Sequence, residues 1–283
     1  MKIGLALFNL RPHQLGEVAA RADALGFESV WVPEHLVLPT RFASSYPYAA
    51  DGVPPIRPDS PLLDPLILLT HVAARTSRIR LGTNVYLPAL RHPIEVARAA
   101  TTVDVLSGGR LTLGIGAGWL AEEFTAVGVD FATRGARLRE CVRALRSLWT
   151  DSEPELHGRF FDFGPIKLEP KPVQKPHPPI LLGGESDAAL KRAAALGDGW
   201  YGVAHTAESV RAPIARLRSL LDAAGRSGAP FEITVGYHGV PSGDEVARCR
   251  DAGVDRLVMV PWRRGSEAID AIERLAEVLA IGR

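Results

Sequence analysis

Segments of helical hydrophobic periodicity alternate along the chain with short, continuously apolar runs. In four places a pattern with a period of about 3.6 residues ends at a glycine and an apolar run follows at once, at Gly26, Gly108-Gly109, Gly197 and Gly253. The runs that predict strands lie at about 2–8, 28–33, 78–85, 110–115, 179–182, 199–203, 232–237 and 255–260. Because helical segments separate these runs, we expect the strands to pair in parallel through right-handed crossovers.

The number of these units predicts the fold. Eight parallel strands with intervening helices in 283 residues indicate an α/β protein with a (β/α)8 TIM barrel, forming one domain over residues 1–283. The rival is an open, doubly wound sheet that binds a dinucleotide. That fold uses the spacing G-x-G-x-x-G, and the glycine-rich stretch GRLTLGIGAGW at 109–119 does not have it.

Two connections are too long for simple crossovers and are predicted to be insertions. The first, at about 36–65, follows the carboxyl end of the second strand, where barrels hold their active sites, and we interpret it as a lid. The second, at about 151–179, is rich in proline and is expected to cover the flank of the barrel.

Composition and charge narrow the classes of partner. The net charge is +1, so no nucleic-acid or anionic membrane partner is expected, and no run of about twenty apolar residues predicts a membrane span. The two cysteines, Cys141 and Cys249, fall in helical patterns, which favours a reducing cytoplasm over a disulfide framework. The eight histidines form neither H-x-H nor H-E-x-x-H, so no metal site is predicted.

The expected strand ends carry glycine, small apolar residues and aromatics rather than a nucleophile. Such a surface suits a flat, mostly apolar ligand with an anionic group. Gly183 and Gly184 end the fifth predicted strand, and Ser186 or Asp187 is expected to cap the next helix. The free N–H groups of that helix would hold a phosphate, although a simple capped turn is the alternative interpretation.

Six stretches, within about residues 17–201, resemble the luciferase-like monooxygenase superfamily. The closest likeness is to its actinobacterial branch of oxidoreductases that use coenzyme F-420, an 8-hydroxy-5-deazaflavin. Beyond residue 201 the chain matches only as generic barrel units. The stretches are ALGFESVWVPEHLVLP, RIRLGTNVYLPALRHP, DVLSGGRLTLGIGAGWLAEEF, RGARLRECVRALRSLW, KPVQKPHPPILLGGES and LGDGW.

The resemblance implies a cofactor site at the barrel mouth. Glycines after the fourth strand would let the backbone approach a planar deazaflavin or flavin ring. A non-prolyl cis peptide bond between Asn84 and Val85 would stand behind that ring, and the turn after the fifth strand would bind its phosphate. The full set of expected cofactor-binding residues is Asn84, Val85, Gly116, Ala117, Gly118, Gly183, Gly184, Ser186 and Val203.

The resemblance also suggests roles for side chains. His35 corresponds to a histidine beside the ring that exchanges a proton as hydride moves, unless it only hydrogen-bonds the turn after the second strand. Its neighbour Glu34 is expected to face away from the mouth and to pair with an arginine. Trp119 stands where related sugar-phosphate dehydrogenases carry a glutamate, which puts sugar-phosphate oxidation in doubt.

Four aromatic residues are expected to border a substrate pocket, with simple packing as the alternative for each. They are Tyr46 in the first long connection, Trp119, and Tyr237 and Trp262 after the last two strands. Basic residues in the second long connection offered a weaker possibility, contact with a polyglutamyl cofactor tail. These are Lys167, Lys171, Lys175 and His177.

Three functions stay open on the sequence alone. The leading hypothesis is hydride transfer between coenzyme F-420 and a small organic substrate. The alternatives are a monooxygenase that uses flavin mononucleotide (FMN), and a protein that binds a flavin or deazaflavin without chemistry. The resemblance further implies a homodimer.

Overall fold

A computed structural model of the chain, which describes residues 1–282, contains the predicted closed parallel barrel. All eight predicted strands are present, and a short antiparallel pair, β5 and β6, lies outside the barrel. Around the barrel the order is β1, β2, β3, β4, β7, β8, β9, β10 and back to β1. The strands are β1 (Lys2–Ala6), β2 (Ser29–Val32), β3 (Arg80–Thr83), β4 (Leu111–Ile115), β5 (Leu156–His157), β6 (Asp162–Phe163), β7 (Ile180–Gly183), β8 (Gly199–Gly202), β9 (Glu232–Tyr237) and β10 (Arg256–Met259).

Helices cover the outside of the barrel and begin with sequence signals that favour helix. Asp64 and Ser186 accept hydrogen bonds from the first turns of their helices, and proline opens three of them. The helices are α1 (Pro12–Leu25), α2 (Pro65–Ala73), α3 (Pro93–Leu106), α4 (Ala121–Ala126), α5 (Arg134–Thr150), α6 (Asp187–Leu196), α7 (Arg211–Ala223), α8 (Gly243–Asp251) and α9 (Ala268–Val278).

The second long connection packs against α5 and the lower end of the barrel. The buried Glu140 carboxylate accepts the backbone N–H groups of residues 159–161, which ties this segment to the flank of α5. Lys171 donates to the carbonyls of Leu148 and Asp151 at the end of that helix. The lysines of this connection therefore lie near the amino ends of the strands, away from the mouth, and the suggested contact with a cofactor tail does not fit this placement.

A column of side chains fills the barrel along its axis. At the bottom, the guanidinium of Arg256 pairs with Glu28 at 2.7 Å and also with Glu232, and its Cζ lies 5.3 Å from the centre of the Trp31 ring. Above it, Trp31 packs on Tyr201 with ring centres 5.4 Å apart. The column thus joins an ion-pair floor to the residues just below the mouth.

Glycines on neighbouring strands make room for the indole of Trp31. A Cβ atom on Gly82 would lie 2.4 Å from two of its ring carbons, and a Cβ on Gly4 would lie 3.0 Å from its Nε1. The indole N–H is satisfied within the barrel, since it donates to Ser29 Oγ at 2.8 Å. The width of the barrel interior at this level is therefore matched to one large aromatic residue.

Within the described residues, no helix is both long and apolar enough to cross a membrane. Nor do residues 1–282 bring together three or more His, Cys, Asp or Glu side chains in a way that would hold a metal ion.

The substitution Gly82→Ala should destabilise the fold, because the added methyl group would overlap a fully buried indole. We expect a loss of about 3 kcal/mol in the free energy of unfolding, measured by urea denaturation, at the upper end of ordinary overpacking. Gly164→Ala is the matched control, since no atom lies within 4 Å of the added carbon. A cost below about 1 kcal/mol for Gly82→Ala would show that the indole is not confined as described.

Candidate functional site

A cavity of about 1210 Å³ opens at the carboxyl ends of the barrel strands. Its floor is formed by residues at or just after the strand ends, including Ala6, Gly116, Gly183 and Val260. Residues 45–62 of the first long connection line the opposite side, as expected of a lid. The cavity is mostly apolar and large enough for a tricyclic ring with room for a second molecule.

The bond between Asn84 and Val85 is cis, as the resemblance implies. Val85 projects between the ends of β4 and β7: a Cβ atom on Gly116 would lie 2.6 Å from one of its methyl groups, and a Cβ on Gly183 would lie 3.0 Å from the other. The close contact with Val85 is therefore one reason why both positions need glycine. Together with Val85, these glycines line the floor of the cavity.

The other glycines of the fourth strand end also have partners inside the protein. A Cβ atom on Gly114 would lie 2.0 Å from the carbonyl oxygen of Thr83, and Gly118 has a φ of +85° and lies against the ring of Phe124. Internal packing thus accounts for much of the glycine pattern that sequence reasoning assigned to a ring. Gly116, Ala117 and Gly118 nevertheless line the cavity.

One buried polar atom in the floor lacks a partner. The Asn84 side chain donates through Nδ2 to the hydroxyl oxygen of Tyr201 at 3.2 Å, but its Oδ1 has no hydrogen-bond partner within residues 1–282. Burial raises the pKa of Tyr201 well above its usual range, so this hydroxyl keeps its proton. Both residues line the cavity, and together they offer an acceptor and a donor to the edge of a bound ring.

The expected phosphate-binding turn has open backbone donors. Ser186 Oγ accepts the N–H of Ala189, which caps α6. The N–H groups of residues 186–188 have no acceptor within the described part of the chain. Gly184 has a φ of +114°, and a Cβ there would meet the Cβ of Ala189 at 2.9 Å. The turn can therefore hold an anion at the positive end of the helix.

Two arginines that sequence reasoning missed line the cavity near this turn. Arg134 begins α5 and Arg192 lies on α6, and neither forms an ion pair with a carboxylate within residues 1–282. The guanidinium of Arg134 donates to the carbonyl of Phe131 and lies over its ring, which leaves its charge unneutralised. Burial, followed by repulsion from Arg139 and Arg134, lowers the pKa of Arg192. The lid adds Tyr48, which lies near Gly184. The one carboxylate of this turn, Glu185, is engaged by His205 at 2.9 Å and by the N–H of Val203, so the two arginines leave this end of the cavity cationic.

His35 lines the cavity just after the end of β2, and a buried carboxylate contacts its ring. Its Nδ1 is 3.0 Å from Oε2 of Glu123, a fully buried residue at the start of α4. The other oxygen of Glu123 accepts the backbone N–H of Leu36. No hydrogen bond to Nε2 of His35 is found in the described residues, so this nitrogen is available to a ligand.

Glu34 pairs with an arginine, as expected, but it also lines the cavity. Its Oε1 is 2.5 Å from Nη2 of Arg91, and its Oε2 accepts the N–H of Leu87 at 2.5 Å. Burial raises the pKa of the Glu34 carboxyl to about 7 against the opposing effects of Arg91 and Leu87, and nearby Glu123 raises it as well. This pair fixes the turn that carries His35.

Trp119 is enclosed by residues of the lid. The centre of its ring lies 5.1 Å from that of Tyr46 and 5.7 Å from that of His35, and both pairs are edge to face. The ring centre of Phe42 lies 6.3 Å away. It is half-buried and lines the cavity together with Tyr46. The group forms an aromatic wall between the lid and the side of the cavity that carries His35.

The lid is also tied down by the carboxylate next to Glu123. Glu122 accepts the N–H groups of Ala43 and Ser44, and the Ser44 hydroxyl at 2.5 Å. Burial alone would raise the pKa of Glu122, but these hydrogen bonds lower it to about 2. The only signal for this role in the sequence was the acidic pair that follows the glycine-rich stretch.

The remaining expected site residues divide into two groups. Val203 lines the cavity, as does His238 after β9. Tyr237 and Trp262, expected in the substrate pocket, are not on the cavity surface. The polar group of each side chain has a partner within the protein. The Tyr237 hydroxyl donates to Glu245 at 2.7 Å, and the indole N–H of Trp262 donates to the carbonyl of Phe8 at 2.9 Å.

Comparison with known proteins identifies the family of this chain. A family profile described as luciferase-like monooxygenase matches residues 6–258, and the chain belongs to this family. An uncharacterized protein of Mycobacterium tuberculosis is 37% identical over 283 residues, 99% of each chain.

Two further relatives carry functional descriptions. An F420-dependent glucose-6-phosphate dehydrogenase of Kineococcus radiotolerans is 32% identical over 233 residues, which cover 79% of this chain and 63% of the relative. The crystal structure of the monooxygenase RslO1 from Streptomyces bottropensis superposes with a TM-score of 0.77 at 25% identity, over 99% of each chain. Both oxidoreductases that use F420 and monooxygenases are thus similar to this chain.

Replacing Arg91 with methionine should be strongly destabilising, because it leaves the Glu34 carboxyl buried without its cation. At neutral pH we expect a loss of about 1 to 3 kcal/mol in the free energy of unfolding, measured by urea denaturation, because a carboxyl with a pKa of about 7 takes up a proton once its cation is removed. Adding Glu34→Gln should recover part of this loss. Arg57→Met, which removes an exposed arginine paired with Asp59, should cost less than about 1 kcal/mol. Equal losses for both arginines would contradict the assignment.

Proposed function

We propose that this protein is an oxidoreductase that transfers a hydride between coenzyme F-420 and a small organic substrate. One observation carries the choice of cofactor: Arg134 and Arg192, which have no carboxylate partner within residues 1–282, line the same cavity as an open phosphate-binding turn. An acidic cofactor that continues beyond its phosphate into a polyglutamyl tail would use this additional positive charge. The similarity to the F420-dependent dehydrogenase of Kineococcus radiotolerans supports the same choice.

The residues present fit such a cofactor. The unpartnered Oδ1 of Asn84 and the hydroxyl of Tyr201 suit the polar edge of a deazaflavin, and Val85 with Gly116 provides an apolar surface for the ring. Residues 184–188 would hold the phosphate with backbone N–H groups. When bound, the deazaflavin supplies a carbon that accepts or donates hydride.

The chain's own residues would supply orientation, exclusion of water and a proton carrier. Trp119 and Tyr46 lie next to His35, which lines the same cavity and whose Nε2 has no hydrogen-bond partner within residues 1–282. A hydroxyl or carbonyl group placed there would exchange a proton with His35 as hydride moves. The glutamate of related sugar-phosphate dehydrogenases is absent at Trp119, so we propose a less polar substrate than a sugar phosphate.

The similarity to RslO1 favours a second candidate, a monooxygenase that uses FMN. The same turn would hold the phosphate of FMN, and the cofactor decides which chemistry follows. A protein that only binds the cofactor is less well supported, because residues of the lid and an aromatic wall line a mostly apolar cavity with room for a second molecule. We further propose that the enzyme acts in the cytoplasm, where its two buried cysteines stay reduced, and that it forms a homodimer.

Titration of the purified protein with each cofactor separates these candidates. We expect coenzyme F-420 to bind at least about tenfold more tightly than FMN, measured by the change in ring fluorescence. The reason is that F-420 adds carboxylates that can reach the cationic end of the cavity. Tight binding of FMN alone would make the monooxygenase the better proposal.

A second prediction tests the role of the arginines. Arg192→Gln should weaken binding of coenzyme F-420 by about tenfold or more, since it removes a charge-assisted contact, and should affect FMN less. Lys191→Gln removes the same charge from the neighbouring residue, which pairs with Asp187 outside the cavity, and should change binding of either cofactor less than about twofold. If both substitutions act alike, the effect is general electrostatics and not a local contact.

A further inference from the structure

We infer that Glu123 is a positioning residue that sets the tautomer of His35, so that Nε2 presents a lone pair to the cavity. The inference rests on the proposed function, because it concerns the proton carrier of that reaction. Nothing in the sequence links these two residues, which are 88 positions apart.

The geometry gives each oxygen of Glu123 one donor. Oε2 lies 3.0 Å from Nδ1 of His35, and Oε1 accepts the backbone N–H of Leu36. The side chain of Glu123 is fully buried, whereas that of His35 is 13% exposed toward the cavity. Two donors converge on a carboxylate that has no access to water.

This arrangement decides which nitrogen of His35 carries the proton. A neutral imidazole has one N–H group, and a carboxylate at Nδ1 holds that proton on Nδ1. Nε2 is therefore an acceptor and faces the ligand. Such a base suits a substrate with a hydroxyl group. The C–H bond breaks as hydride passes to the oxidised deazaflavin, the O–H bond breaks as the proton passes to Nε2, and the alcohol becomes a carbonyl compound.

Replacing Glu123 with glutamine should invert the tautomer without removing the contact. The N–H of Leu36 needs an acceptor, so the amide oxygen of the glutamine must face Leu36. Its NH2 group then faces Nδ1 of His35 as a donor, and a donor there requires Nδ1 to be unprotonated. The proton moves to Nε2, where it blocks acceptance from a substrate. Glu17 on α1 offers a control for the same change of carboxylate to amide, because its side chain is exposed and does not line the cavity.

The tautomer can be measured without any substrate. In the full chain labelled with ¹⁵N-histidine, the chemical shifts of the ring nitrogens report which one carries hydrogen, and a His35→Gln variant identifies the resonances. We expect Nδ1–H in the natural sequence and in Glu17→Gln, and Nε2–H in Glu123→Gln. Binding of coenzyme F-420 should change less than about twofold in both variants, since neither side chain lines the cavity. Oxidation of a panel of small alcohols, followed by loss of the cofactor's absorbance, should slow about 10²- to 10⁴-fold in Glu123→Gln alone.

Each outcome decides between the claims. Nε2–H in the natural sequence, or an unchanged tautomer in Glu123→Gln, would overturn the inference. An inverted tautomer with undiminished oxidation would overturn the link to proton transfer. If Glu123→Gln does not fold, the tautomer of the unaltered protein still tests the assignment. Failure of the unaltered protein to bind coenzyme F-420 would instead overturn the proposed function and leave the tautomer result intact.

Discussion

The structure depends on how one aromatic ring is confined inside the barrel. The indole of Trp31 occupies the interior between the ion pairs of Arg256 below and the ring of Tyr201 above. Glycines on adjacent strands admit it, and Ser29 satisfies its only donor. Because protein interiors are close-packed, the position of this ring sets the height of Tyr201, and Tyr201 in turn positions Asn84 at the cavity floor. The mouth therefore rests on a filled and rigid interior.

The cavity above this column is electrically divided. Arg134 and Arg192 make one end cationic, where the single carboxylate of Glu185 is engaged by His205, while Glu34 and Glu123 contribute carboxylates around the turn that carries His35. An elongated ligand with an anionic end and a neutral reacting end has one favourable direction in such a field. The charges at the two ends come from side chains on different helices and turns, so each end can bind its part of a ligand independently.

Sequence reasoning predicted the barrel because its evidence is local: apolar runs of strand length, helical periodicity and glycines that end helices. It also predicted the long connection after the second strand, from its length, and the turn around Gly184, from residue types at fixed spacing. It did not find Arg192 or Glu123, since their importance arises only when helices far apart in the chain meet at the mouth. Tyr237 and Trp262 were expected in the pocket because strand ends point there, but Glu245 and the carbonyl of Phe8 hold their polar groups elsewhere.

The attachment of the lid to α4 has a consequence for how the enzyme can change over evolutionary time. At the start of the lid, the N–H of Leu36 donates to the buried carboxylate of Glu123. Further along the lid, the N–H of Ala43 donates to Glu122, which lies nearer the surface. Between these anchors and Pro65, the stretch around Tyr46 to Leu62 contacts the ligand space but contributes no partner to His35. Insertions or exchanges in that stretch can reshape which molecules are admitted while His35 keeps its orientation. A single ancestral scaffold can in this way give rise to enzymes that share a reaction and differ in what they act upon.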